Sequence, residues 1–322
     1  MLSRISRHLT IAAVAASCLS YASCVTRSDD DLDDKPVSFE AWKEHLLTYR
    51  PELKEFEKQG PFEFKLRQNV PIKLKGGGTV VGDLVSPKTQ LSAPLVIIVH
   101  GNHARKEAHR YQAMRLASFG MHALVLQMVN RAQWLKNGDL LARVVSTIHE
   151  DENKLDTRID RGNIVLAGHS FGGSAISIAA AKGAPVRGLI LLDPAVVSKA
   201  LRDELSKIRV PVVLLGADRS VFKSRQRRLF YRLISGEMAE VSIAGATHDD
   251  AQYPSMFALT GYGIDPFTSR DKQSLFAAAL TTSAFSLTAT GRIDFAWEAF
   301  EELMHAGMMK NPKRRTALNE RR

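Results

Sequence analysis

Residues 95–99 read Leu-Val-Ile-Ile-Val, with no polar position among them. An apolar run of this length predicts a strand covered on both faces, as in a parallel sheet. Further strands are expected at 122–128, 163–167, 188–192, 211–215 and 240–244, the last of these closing the sheet. Between them the spacing turns helical, at 106–119 with Gly120 as a C-cap signal, at 139–155 and at 223–235. Residues 272–287 and 293–305 are expected as closing helices. Ahead of the first run the pattern differs. Phe62, Phe64 and Leu66 alternate with polar residues, Gly76-Gly77-Gly78 predicts a turn, and 79–85 a return strand, so a β-hairpin comes first. Earlier still, Ser38 is placed to cap a helix carrying Phe39, Trp42, Leu46, Leu47 and Tyr49, and Pro51 opens a short segment that Gly60-Pro61 ends. The sum is an α/β fold, a mostly parallel central sheet with helices on both faces.

Composition changes this picture mainly at the ends. The chain has 322 residues, enough for one large domain or two small ones, and a formal net charge of +10. Arg4 and Arg7 precede a short apolar stretch at 9–19, too short to span a membrane, and small residues follow at Ser20, Ala22 and Ser23. This reads as an export signal over 1–24, cleaved after Ala22, giving a periplasmic or secreted protein. A second reading is a lipoprotein attached to the membrane through Cys24, although Tyr21 stands where such signals usually carry Leu. An uncleaved anchor or a cytoplasmic protein is the third. Cys18 and Cys24 are the chain's two cysteines, so its body has no disulfide, no thiolate nucleophile and no cysteine metal site. An acidic linker and the first helix occupy 25–60, the main domain 61–305, and a basic tail 306–322. Arg219, Lys223, Arg225, Arg227, Arg228 and Arg232 are spaced as a basic helix face. No nucleic-acid motif accompanies them, so nucleic-acid binding is not expected.

The chemistry gathers after the strands. Gly168-His169-Ser170-Phe171-Gly172-Gly173 lies between the apolar run at 163–167 and a small-residue helix at 174–181. Strand, G-x-S-x-G, helix is the context of a nucleophile elbow, with the Ser170 hydroxyl held clear of the sheet on a turn too tight for side chains at Gly168 and Gly172. A serine hydroxyl needs a base, and the base an orienting acid. His248, in the small-residue loop after the expected strand at 240–244, is the expected base. Asp218, on the strand beside it, is the expected acid by shorter reach, and Asp193, one strand earlier, is the alternative. Asp249 and Asp250 read as loop polar groups. The Phe171 N–H and the Asn102 N–H, in the His100-Gly101-Asn102 loop, are the expected oxyanion donors. His103 and His109 do not form a metal-binding pattern with their neighbours, and neither a metal nor another cofactor is expected.

The order Ser170, Asp218, His248, with His100-Gly101 and the elbow, resembles the α/β-hydrolase superfamily over roughly residues 62–305. Within it the chain looks most like the compact group of dienelactone hydrolases, cutinase-like esterases, chlorophyllases and platelet-activating-factor acetylhydrolases. The resemblance implies hydrolysis of a small-molecule or lipid carboxylic ester through an acyl-serine. Many members carry a large cap between the sixth and seventh strands. Here 194–209 has room for one short helix, so an open site is expected. Tyr253, Met256 and Phe257 lie in a long segment after His248 that either folds over the pocket to contact substrate or is an ordinary packed connection. A peptidase or acyltransferase on the same fold, and a non-catalytic envelope binding protein, remain as alternatives. Oligomeric state is open.

Overall fold

The computed structural model describes residues 38–89, 91–129, 133–150, 155–220, 224–255 and 264–317. The expected export signal and Cys24, the acidic run before Ser38, and Met256 and Phe257 lie outside the described residues.

Helix α1 (Phe39–Tyr49) begins at the expected cap, where Ser38 Oγ accepts the Ala41 N–H at 3.2 Å. Strands β1 (Phe64–Lys73) and β2 (Thr79–Pro87) form the antiparallel hairpin. Then come β3 (Ala93–Val99), α2 (Arg110–Ser118), β4 (His122–Gln127), α3 (Trp134–His149), β5 (Ile159–His169) and α4 (Phe171–Ala181). The chain continues through β6 (Gly188–Leu192), α5 (Leu201–Leu205), β7 (Val212–Ala217), α6 (Ser224–Leu233) and β8 (Met238–Ile243). It closes with α7 (Arg270–Thr290), α8 (Asp294–His305) and β9 (Met309–Arg315). The strand order is β1-β2-β4-β3-β5-β6-β7-β8-β9. The strands from β4 to β8 run parallel, and β2 and β9 join them antiparallel.

The unbroken apolar runs have a simple cause. Leu95, Ile97 and Val99 face one helical layer with Ile176 and Phe230, while Val96 and Ile98 face the other with Phe276, Phe285 and Phe300. Each large side chain buried here contributes about 1.5–3 kcal/mol. Helix α7 is buried almost all round, and the hydroxyls of Thr281, Thr282, Ser283 and Thr288 return to carbonyls four residues back, so no water is needed to satisfy them.

Three boundaries differ from expectation. Phe39, Leu46, Leu53 and Phe56 sit in the main core, so the segment before residue 61 is packed into the domain rather than preceding it. Helix α3 starts at Trp134 rather than Asp139. Part of the expected basic tail is an edge strand, because Met309 is buried against the core while Lys313 pairs with Glu240 of β8 at 3.0 Å. Strand β8 is therefore not the last. The expectation of a small cap is met, since only the five-residue α5 stands between β6 and β7.

The topology also selects the site. The chain passes from β3 to β4 on one side, then returns to place β5 on the other side of β3. At such a reversal the helices leave to opposite faces and open a crevice beyond the strand ends. The loop after β3 and the turn after β5 border it.

Candidate active site

Ser170 occupies the turn between β5 and α4 with φ 56° and ψ −123°, a region that β-carbon sterics disfavour. The neighbouring structure holds it there. Its N–H donates to Leu192 O at 3.1 Å, and its carbonyl accepts from Gly173 N–H and Ala195 N–H, each at 3.0 Å. Both flanking glycines are required by close approach. A β-carbon at Gly168 would lie 2.5 Å from Gly172 O, and one at Gly172 would lie 2.5 Å from Val99 O. The geometry expected of G-x-S-x-G is therefore present.

His248 opens a short 3₁₀ turn after β8. Asp250 anchors it: its carboxylate accepts from the Thr247 N–H at 2.7 Å, the Thr247 hydroxyl at 3.0 Å and the Ser269 N–H at 2.8 Å. The His248 ring then meets Asp193, with Nδ1 to Oδ2 at 2.7 Å. Asp193 follows β6 and is fully buried. It also accepts the Ala217 N–H at 3.0 Å and the Ser220 hydroxyl. Burial by itself would raise this carboxyl, but the bond and charge of His248, then Ser220 and the Ala217 N–H, hold it below the ordinary carboxylate range.

This corrects the expectation for Asp218. Its carboxylate accepts the Gly245 N–H and faces Lys310 of β9, both at 3.2 Å. The shorter-reach argument placed the histidine above β8, where its loop begins. Instead the loop crosses β7, where Arg219 N–H donates to Ala246 O at 2.8 Å, and delivers His248 beside β5 and β6. There His169 Nε2–H donates to the His248 carbonyl at 3.1 Å, and the two rings lie 4.4 Å apart. The nearest strand end is then that of β6, which carries Asp193.

The expected oxyanion donors lie on the other edge of the crevice. The Phe171 N–H is the first of α4, and neither it nor the Asn102 N–H has a protein acceptor among the described residues. His100 fixes the loop that carries Asn102. Its Nε2 receives the Met128 N–H at 3.0 Å and the Gln127 amide at 2.9 Å, so its proton lies on Nδ1, which donates to Gly101 O at 2.7 Å. The Gln127 orientation is fixed in turn, because its Oε1 accepts the Lys106 N–H at 3.2 Å. Asn102 Oδ1 accepts the Trp134 indole N–H at 3.2 Å, and Trp134 meets the Phe171 ring edge to face.

Burial keeps the surrounding histidines neutral. His109 is lowered to about 4, mainly by burial, against the bond it donates to Gln112 Oε1. His169 is lowered well below the ordinary histidine value by burial and then by His248, and His100 is lowered by burial.

A sequence model described as the alpha/beta hydrolase family matches residues 96–312. The chain belongs to the alpha/beta hydrolase family. No curated protein matches it in sequence. Membership supports a hydrolase, and it agrees with a sheet in which the Ser170 turn, the His248 loop and the loop after β3 all project past the parallel strand ends.

Tyr253 is the one described member of the expected substrate-contacting trio. It packs on the Ala108–Tyr111 segment, with its N–H donating to Ala108 O at 2.8 Å and its ring against Tyr111. It does not line the cleft of about 450 Å³ found beside Phe171, whose walls include Trp134, Leu135 and Val197. The sequence reading missed Trp134, Gln127, His169 and Ser220. His169 lies inside the motif and could have been questioned there. The other three become visible only when separate strand ends are brought together.

Proposed function

We propose that this alpha/beta hydrolase cleaves carboxylic esters through an acyl-serine, with Ser170 as nucleophile, His248 as base and Asp193 as the orienting acid. The observation that carries the reading is the 2.7 Å bond from His248 Nδ1 to the buried Asp193 carboxylate, made beside a serine on a strained elbow. With Nδ1–H donated to Asp193, Nε2 keeps its lone pair for the serine proton. As Ser170 Oγ attacks the ester carbonyl, its proton passes to Nε2. The carbonyl oxygen gains charge where the Phe171 and Asn102 N–H groups stand without acceptors among the described residues. His248 then gives the proton to the leaving alcohol. Water repeats the sequence on the acyl-serine, releasing the acid and restoring Ser170.

Fluorophosphonate labelling tests this directly. The wild type is expected to be labelled and to hydrolyse p-nitrophenyl esters. Ser170→Ala is expected to lose both while keeping the wild-type circular dichroism spectrum, because one hydroxyl is removed without a change in packing. Labelling that survives in Ser170→Ala, or folded wild type that neither labels nor turns over, refutes the assignment.

A further inference from the structure

The cleft beside the elbow has an uneven chemical lining. Helix α3 forms one wall with its first turn. Gly138 brings that turn close, since a β-carbon there would lie 2.5 Å from Ile178 of α4. The contact places Trp134 against Phe171 and Asn102, the two residues whose N–H groups face the reacting carbonyl in the proposed mechanism. The cleft therefore begins where the scissile ester would sit. Its volume of about 450 Å³ is in the range of small-molecule sites. Trp134, Leu135, Phe171 and Val197 make most of its wall apolar. Among the described residues that line it, Lys136 carries the only charge.

Among the described residues that charge is uncompensated. The acid one turn further along α3, Asp139, is taken by Lys182 of the loop after α4. No carboxylate among the described residues pairs with Lys136. Lys199, which follows the lining residue Ser198, is likewise exposed and has no such partner among them. A mostly apolar cleft that adjoins Phe171 and carries one ammonium in its lining, unpaired among the described residues, fits an acyl chain with an anionic end. It offers a neutral chain no compensating contact for that ammonium.

Resting on the ester-hydrolase reading above, we propose that the substrate's acyl chain ends in a carboxylate and that Lys136 is the specificity-determining residue that receives it. The ammonium attracts the distal carboxylate while the apolar walls hold the methylenes. The effect falls mainly on KM, because the distal charge does not change during the acyl transfer.

The test compares mono-p-nitrophenyl adipate with p-nitrophenyl hexanoate, the same chain with and without the distal carboxylate, after subtraction of spontaneous hydrolysis. The wild type is expected to favour the adipate by about fivefold in kcat/KM, the upper end for a single solvent-facing charge pair. Lys136→Ala is expected to abolish that preference, Lys136→Glu to turn it into a preference of about fivefold for the hexanoate, and Lys136→Arg to retain it. Raising the ionic strength from about 0.05 to 0.5 M should shrink the wild-type preference and leave Lys136→Ala unmoved, which a purely structural role would not produce. Ester turnover with the same adipate-to-hexanoate ratio in wild type, Lys136→Ala and Lys136→Glu overturns the inference alone. Absence of Ser170-dependent turnover of both esters overturns the hydrolase reading, and this inference with it.

Discussion

Replacing Asp193 by Asn separates the two candidate acids with one atom. The site's hydrogen bonds fix how the new amide must sit. The buried Ala217 N–H needs an acceptor, so the amide oxygen takes the place of Oδ1, which now accepts it at 3.0 Å. The amide NH₂ then occupies the Oδ2 position, facing His248 Nδ1. Two donors cannot share that bond, so the imidazole must put its proton on Nε2 and present Nδ1 as an acceptor. Nε2 then has no lone pair for Ser170. The expected loss is about 10⁴-fold in kcat, four decades at about 1.36 kcal/mol each, or about 5.4 kcal/mol of transition-state stabilisation. Asp218→Asn is the control. Its amide oxygen can still accept the Gly245 N–H, and the pair it gives up with the half-exposed Lys310 is worth about 1 kcal/mol of stability at most. A rate within about threefold of wild type is expected. Initial rates on p-nitrophenyl butyrate and fluorophosphonate labelling rates, both on variants shown to be folded, check the pair. A loss below tenfold in Asp193→Asn, or an equal loss in Asp218→Asn, would refute the assignment of the acid.

The elbow and the buried histidines give further tests. Gly172→Ala drives a methyl group to 2.5 Å from Val99 O and 2.6 Å from His100 O, both backbone atoms, so about 1–3 kcal/mol of stability and most of the activity should be lost. Urea unfolding reads the first and ester turnover the second, and a wild-type midpoint would show the packing to be looser than described. Stability should also fall between pH 6.5 and 4. His109 and His122 are each lowered to about 4, mainly by burial, so the unfolded chain binds their protons first as pH falls. Their contribution is complete above the unfolded value near 6.5. It declines by up to about 1.4 kcal/mol per pH unit for each histidine down to about 4. Urea midpoints at pH 7 and 5 measure this, and equal midpoints would contradict it.

Much of the architecture was legible in the sequence because the physics was local. Strands buried on both faces must be apolar throughout, as in Leu95 to Val99, and a serine on a sharp turn must have glycines where the backbones touch, as at Gly168 and Gly172. The N-cap at Ser38 and the loop role of Asp250 are local too. Each needs only its own few residues and the shape of the backbone. Tertiary structure decided what depends on where a loop lands. Chain order and strand adjacency favoured Asp218. The loop after β8 crosses β7 before presenting its imidazole, and that path, fixed by Arg219, His169 and the Asp250 anchor, gives His248 to Asp193. The same holds for the wall of the cleft. Trp134 lies 32 residues from Asn102 and 37 from Phe171, and only the packing of α3 on α4 makes them neighbours. A sequence specifies which groups are available and which turns they can occupy. Which of them meet is set by the packing of distant elements, whose contacts no local pattern records.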